Sequence, residues 1–170
     1  MTLEEFNALP PAKAEAMLLD CFGCARWAAG VSSQRPFEDM KALGEAADIH
    51  WRTLGRGDWL EAFSRHPQIG EKAATGSESH RRWSESEQTG ARVATEDVKT
   101  RLARGNRSYY DKFGHIFIVC ASGKSAEEML ALLEQRLQND PAQELAIAAE
   151  QQRQISRLRL QKLFRGERSS

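Results

Sequence analysis

The sequence has few cysteines, no excess of either charge and no long apolar run, and each absence excludes a class of protein. Its 170 residues include 3 cysteines, an odd number that suits free thiols in a reducing compartment better than a disulfide framework. Lys+Arg and Asp+Glu both number 24, so the charge gives no reason to expect a nucleic acid or an anionic membrane as partner. No apolar run approaches the roughly 20 residues of a membrane span.

Neither end of the sequence carries a recognisable targeting signal. The first five residues, Met1–Glu5, include two acidic side chains where a signal peptide would be basic. The last five, Gly166–Ser170, do not form the S-K-L type of peroxisomal signal. We therefore expect a cytoplasmic protein.

The cysteines and histidines show no metal-binding pattern. Cys21 and Cys24 form a C-x-x-C, but a zinc site needs a second ligand pair and a thioredoxin-like site needs a preceding strand. The four histidines share no ligand spacing such as H-x-x-x-H: His50, His66, His80 and His115. We expect buried thiols one helical turn apart and no metal.

Helix signals dominate what the sequence does contain. Apolar residues recur at three- and four-residue spacing, heptads are not sustained, and no repeat or linker divides the chain. These features predict a single all-α domain over residues 1–165, built as an irregular multi-helix bundle. Residues 166–170 are expected to form a disordered tail.

Capping residues predict where several helices begin. Thr2 and Ser125 are each followed three residues later by a glutamate, the pattern of a capping box. Asp140 and Pro141 supply an N-cap and a first-turn proline, and Glu144 makes the first turn acidic. The helix that starts there is expected to run to Phe164.

Glycines predict where helices stop. Residues 105–106, Gly-Asn, should interrupt one helix, and Gly114 should end the next. Residues 55–57, Gly-Arg-Gly, predict a turn. Asp58 would then be the N-cap of a short helix ending at His66, before a proline.

One apolar run does not fit a helix pattern. Ile116–Ala121 is a continuous apolar stretch of six residues, which on propensity alone could be a strand. A lone strand would have no partner for its backbone groups. We therefore expect a buried extended segment or an irregular helix.

His66 is a candidate proton donor. Histidine has the side chain whose unperturbed pKa lies nearest neutrality, so it can give and take protons at working pH. The rigid Pro67 follows it and would fix where the imidazole points. On sequence alone, a histidine before a proline is more often a capped helix end than a catalyst.

The segment Ser84–Gln88 is open to two interpretations. Ser84 and Glu87 match a capping box, in which both side chains only satisfy backbone N–H groups. The same helix start could instead hold an anionic substrate, with Glu87 orienting His66.

Arg159 is also open to two interpretations. It lies on or beside the apolar stripe of the last helix, whereas neighbours such as Arg157 suggest a solvated face. Spacing alone favours the solvated face. An arginine that pointed inward would need a carboxylate, from the protein or from a ligand.

Taken together, these motifs resemble the 2-oxo-4-hydroxy-4-carboxy-5-ureidoimidazoline (OHCU) decarboxylases of uric acid breakdown. Each motif is short, but their order and spacing from Leu3 to about Leu163 are specific. The matching segments are His66-Pro67-Gln68-Ile69-Gly70, Ser84 with Glu87 and Gln88, Arg35-Pro36-Phe37, Asn106, Tyr109, Phe113-Gly114, Phe117-Ile118, Arg136–Asp140 with Glu144, and Ile155–Leu160.

The resemblance implies a lyase that needs no cofactor and forms (S)-allantoin and carbon dioxide. The carboxylate of OHCU is attached next to a ring C=N, and this imine can accept the electrons that carbon dioxide leaves behind. The uncatalysed reaction would give both enantiomers, so stereocontrol is part of the implied function. The resemblance also suggests a homodimer.

The resemblance assigns roles to particular residues. His66 would be the general acid, with Glu87 holding its geometry. Arg159 would pair with the anionic charge of the substrate, although Arg157 stays open for that role. Other substrate contacts would come from Pro67 on the ring, from Ser84 (or Ser86) and Gln88 on polar groups, and from the backbone of Phe117, Ile118, Val119, Cys120 and Ala121.

Three other classes remain possible on sequence alone. A different acid/base enzyme acting on a related imidazoline would keep the same residues. A non-catalytic helical interaction module would use the Ser84–Glu87 pattern only as a cap. Nucleic-acid binding through the basic last helix is disfavoured, because acidic residues interrupt the charge.

Overall fold

The computed structural model describes residues 1–67, 87 and 94–165, and the regular secondary structure within them is all helical. No strand occurs in this part of the chain, so the predicted fold class is confirmed. The predicted tail at 166–170 lies outside the described residues. The helices are α1 Leu3–Ala8, α2 Pro11–Cys21, α3 Ala25–Ser33, α4 Met40–Arg52, α5 Arg56–Phe63, α6 Glu96–Phe113, α7 Ala126–Arg136 and α8 Pro141–Leu163.

The N-caps predicted at Thr2 and Ser125 are present. Thr2 and Glu5 form a complete capping box at α1, and the Ser125 hydroxyl accepts the Glu128 N–H at 3.1 Å. Gly114 ends α6 with a φ of 75°, a left-handed conformation that glycine adopts without steric cost. In the part of the chain described, no helix is long and apolar enough to cross a membrane.

The predicted break at Gly105 is wrong, because α6 continues through it to Phe113. A Cβ at Gly105 would lie 2.6 Å from Cδ2 of Leu133, which is fully buried on α7. The glycine therefore serves close packing of α6 against α7, a tertiary requirement that a sequence pattern reads as a stop signal.

The start of α5 also differs from the prediction. The helix begins at Arg56 rather than after Asp58, and it ends at Phe63 rather than at His66. Asp58 lies in the first turn, where its carboxylate accepts the Gly55 N–H at 3.0 Å. An acidic side chain there still favours the helix start, through the helix dipole rather than as the N-cap.

The chain divides into two compact units, Met1–Ala62 with Arg153–Ser170, and Phe63–Gln152. In the first unit, the rings of Phe6 and Phe164 meet edge to face with centroids 5.5 Å apart. In the second, Tyr109 is fully buried, with ring contacts to Phe113, His115 and Phe117.

Candidate active site

His66 lies just past the end of α5, in the second unit. Its backbone N–H donates to the Phe63 carbonyl at 3.1 Å, and its side chain is half-buried. Phe63 is 1% exposed, and its ring centroid is 5.2 Å from that of His115. The turn that carries His66 is thus attached to a buried aromatic residue, while Pro67 prevents the helix from continuing.

The second predicted catalytic residue, Glu87, has helical backbone and is half-buried. Ser84 and Gln88, predicted to bind substrate, lie outside the described residues, as does Ser86. Whether Ser84 and Glu87 form a capping box therefore stays a prediction.

The segment Phe117–Ala121 is buried and is neither helix nor strand. None of its five residues is more than 7% exposed. Of the two structures expected for this apolar run, the buried extended segment is confirmed and the irregular helix is not.

Side chains hold this segment where a strand would have used a neighbouring strand. Arg136 Nη1 donates to the Ile118 carbonyl at 2.7 Å. The Cys120 N–H donates to Gln151 Oε1 at 2.9 Å, and Lys124 Nζ donates to the Cys120 carbonyl at 2.8 Å. Buried backbone groups cost free energy when they lack a partner, so these bonds make the extended conformation possible.

Arg136 belongs to a buried ion pair with Glu144. Arg136 is 6% exposed and Glu144 is fully buried, and Arg136 Nε donates to Glu144 Oε1 at 2.7 Å. The Tyr109 hydroxyl donates to the same oxygen at 2.5 Å, and Asn139 Nδ2 donates to Oε2 at 3.0 Å. Burial, together with the hydrogen bond to Glu144, raises the pKa of Tyr109 well above its usual range, so this phenol remains a donor.

The buried pair of Arg136 and Glu144 is not predicted by the sequence pattern. Glu144 was expected only as an acidic residue in the first turn of α8, yet its side chain points into the second unit and meets Arg136. The spacing of Arg136, Asn139 and Glu144 was the available signal. A charged residue in the first turn is so common on solvated surfaces that the spacing alone could not indicate burial.

Arg159 lies in the first unit and is 1% exposed, so the solvated-face interpretation is wrong for this residue. Its Nη1 donates to the Asp20 carbonyl at 3.2 Å. Arg157, the alternative anion partner, is exposed. A buried guanidinium keeps much more of its electrostatic strength than one in water.

The three cysteines are free and buried. The predicted burial of Cys21 and Cys24 is confirmed, but the two do not lie one turn apart on a helix, because Cys21 ends α2 and Cys24 is the N-cap of α3. Burial raises the pKa of Cys21 to about 12, although the positive charge of Arg159 opposes the shift. Burial raises the pKa of Cys24 to about 11. Neither thiol has the low pKa that a nucleophilic cysteine needs.

One group of side chains among the described residues has ligand atoms close enough to share a cation: Cys24, Asp58 and Glu61, within 4.8 Å of one another. Asp58 already pairs with Arg26 at 3.3 Å, and Glu61 accepts the Ala25 N–H at 3.3 Å. These contacts link the group to the start of α3.

Comparison with known proteins relates this arrangement to one family. The sequence pattern of the OHCU decarboxylases matches residues 7–161 of the chain. The chain belongs to the OHCU decarboxylase family. A "2-oxo-4-hydroxy-4-carboxy-5-ureidoimidazoline decarboxylase" of Amia calva is 33% identical over 83% of this chain and 81% of its own length. The family predicted from the sequence is confirmed.

A longer relative shares the OHCU decarboxylase region. The "Uric acid degradation bifunctional protein TTL" of Arabidopsis thaliana is 42% identical over 146 residues, 85% of this chain. The chain spans 45% of that protein, and 34% of a bifunctional relative from a Bacillus species.

A solved OHCU decarboxylase has the same fold. The structure described as "OHCU decarboxylase in the presence of (S)-allantoin" superposes with a TM-score of 0.74. It is 37% identical, and the match covers 88% of this chain and 98% of that one. An (S)-allantoin synthase at 21% identity superposes with a TM-score of 0.71 and supports the fold alone.

Proposed function

We propose that this chain catalyses the decarboxylation of OHCU to (S)-allantoin in uric acid degradation, without a cofactor. The observation that carries the proposal is the likeness over most of both chains to an OHCU decarboxylase solved with (S)-allantoin. The buried segment Phe117–Ala121, held by Arg136 through the Ile118 carbonyl, is where we propose the backbone contacts to the substrate.

The reaction moves the electron pair of the carboxylate bond into the ring imine. The bond between the ring carbon and its carboxylate breaks, and carbon dioxide leaves. The bonding pair forms a double bond to the former imine carbon, and the imine pair moves to nitrogen, which takes a proton. The former imine carbon is then protonated. The ring hydroxyl loses its proton and becomes a carbonyl, which gives allantoin.

Two residues carry the chemistry in this proposal. His66 is the general acid that delivers the proton to one face, and its attachment to Phe63 limits how far its backbone can move. Glu87 holds His66 or the substrate hydroxyl in place. A positioned general acid or base contributes typically 10²–10⁴-fold to a rate.

The other residues bind and orient. Pro67 packs on the ring, Ser84 and Gln88 contact the ureido and ring polar groups, and backbone groups of Phe117–Ala121 contact the same ligand. For the anionic charge we propose Arg159 rather than Arg157. Its burial supports this choice, because a desolvated charge attracts a carboxylate more strongly.

The proposal also covers the assembly of the chain and its location in the cell. We propose a homodimer, as the resemblance suggests, and a cytoplasmic location. Light scattering after size exclusion would measure the mass in solution, and a mass equal to the 19.1 kDa chain would contradict the dimer.

The reaction is tested with substrate made in situ from urate by the two preceding enzymes of the pathway. Circular dichroism of the product reports its handedness, for wild type and for His66→Ala. We expect rapid appearance of the S enantiomer with wild type, and a 10²–10⁴-fold slower reaction with His66→Ala. As a control, His50→Ala removes an imidazole from α4 and should leave the rate unchanged.

Racemic allantoin formed at the spontaneous rate by wild type would overturn the proposed function. A different product would indicate another acid/base enzyme on this scaffold. A variant His66→Ala as fast and selective as wild type would remove only the role of His66.

A further inference from the structure

The buried guanidinium of Arg136 touches two neighbouring residues of the segment Phe117–Ala121. Nη1 donates to the Ile118 carbonyl at 2.7 Å, and the guanidinium carbon lies 4.5 Å from the centroid of the Phe117 ring. A planar, forked donor of this kind fixes both distance and angle, which a lysine cannot do. Arg136 therefore holds the start of this segment at two points, the backbone carbonyl of Ile118 and the ring of Phe117.

Glu144 in turn prevents the guanidinium from rotating. Its carboxylate accepts hydrogen bonds from Tyr109 on α6, from Arg136 on α7 and from Asn139 before α8. Rotation of Arg136 would leave a fully buried carboxylate with one fewer donor. The position of the Ile118 carbonyl is thus coupled to three parts of the second unit.

The hydrogen bonds also indicate which backbone groups face away. In an extended chain, successive residues direct their N–H and C=O groups to opposite sides. The Ile118 carbonyl and both backbone groups of Cys120 are held by Arg136, Gln151 and Lys124. By this alternation, the N–H and C=O of Val119, between them, would be directed to the other side.

We infer that Arg136 and Glu144 are positioning residues for the decarboxylation: together they set the register of Phe117–Ala121, so that the backbone groups of Val119 meet the substrate. This inference rests on the proposed function. In this inference neither residue touches the substrate, and both act through the segment. A shift of about 1 Å in a substrate-orienting group can lower a rate about 10²-fold.

The test needs a variant that removes the anchor without leaving a buried charge unpaired. Arg136→Met with Glu144→Gln removes both charges together, and the glutamine still offers an acceptor to Tyr109. Arg136→Lys is the conservative variant, since an ammonium group can serve Glu144 or Ile118 but not both in the original geometry. The control is Arg101→Met, which removes a half-exposed ion pair of 2.7 Å between Arg101 on α6 and Glu134 on α7, the helix that also carries Arg136.

For each variant we would measure five quantities: the unfolding midpoint, kcat and KM with in situ substrate, the handedness of the allantoin, and amide hydrogen exchange of residues 117–121. The double variant should unfold cooperatively, lose 10- to 100-fold in kcat/KM, and form detectable (R)-allantoin. Exchange in residues 117–121 should be roughly 10-fold faster while α6 is unchanged. Arg136→Lys should fall between wild type and the double variant, and Arg101→Met should match wild type.

The inference is overturned if the folded double variant matches Arg101→Met in kcat/KM, handedness and exchange. If the double variant does not fold, Arg136→Lys decides. A purely structural role predicts full selectivity in that variant, and a positioning role predicts a loss. If wild type itself forms racemic allantoin, the proposed function has failed, while hydrogen exchange still tests whether Arg136 sets the segment.

Discussion

Arg157 and Arg159 lie two positions apart on α8 and differ in their exposure to solvent. Arg157 is exposed, whereas Arg159 is 1% exposed and donates to the Asp20 carbonyl. An exposed guanidinium is screened by water and salt, and a buried one is not. At the scale of the residue, burial separates two side chains that are chemically identical.

This difference predicts different kinetic effects for the same substitution. Arg159→Met should lower kcat/KM for OHCU about 10²-fold or more, chiefly through a higher KM, because the proposed charge pair between Arg159 and the substrate would be lost. Arg157→Met should change it less than twofold. Steady-state kinetics, with unfolding midpoints to verify the fold, would check both, and equal losses in the two variants would contradict the assignment of Arg159.

At the scale of the element, the helices depend on how closely they pack as well as on their caps. Gly105 lies inside α6 opposite the fully buried Leu133, and Gly44 lies inside α4 with nothing near the position of a Cβ. Helix propensity penalises both glycines equally. Only the packing around each residue distinguishes them.

The two glycines therefore predict opposite effects of one substitution. Gly44→Ala should raise the free energy of unfolding by about 0.5–1 kcal/mol, since alanine is the better helix former. Gly105→Ala should lower it by about 1–2 kcal/mol, because overpacking against Leu133 exceeds that gain. Urea unfolding measures both, and a stabilised Gly105→Ala would show that Leu133 moves aside freely.

The extended segment Phe117–Ala121 shows a second limit of sequence patterns at this scale. Its burial follows from its apolar side chains, but its conformation depends on donors and acceptors supplied by Arg136, Gln151 and Lys124. Those partners lie up to 31 positions away in the sequence. Local propensity cannot contain that information.

At the scale of the whole molecule, buried thiols couple stability to pH. Burial raises the pKa of Cys21 to about 12, whereas an unfolded thiol titrates near 8.5. Above the unfolded pKa the unfolded state binds fewer protons than the native state, so stability falls as the pH rises. The stabilisation is complete below the unfolded pKa and is lost progressively towards the folded pKa.

We therefore expect wild type to lose stability between pH 8 and pH 10.5 by a larger amount than Cys21→Ala loses. The difference should approach about 1.4 kcal/mol for each pH unit above the unfolded pKa of the thiol. Other groups titrate equally in both proteins, so the difference isolates Cys21. Urea midpoints at the two pH values measure it, and parallel curves would contradict a buried, neutral thiol.

The sequence by itself determined the all-helical class, the caps at Thr2 and Ser125, the end of α6 at Gly114 and the family. These depend on neighbours within a few positions or on motifs in a fixed order, and both are written along the chain. Only the tertiary structure decided that Gly105 packs inside a helix, that Arg159 is buried, and that Arg136 and Glu144 hold the extended segment. Those outcomes depend on which distant side chains fill the same space, and a linear pattern does not specify that.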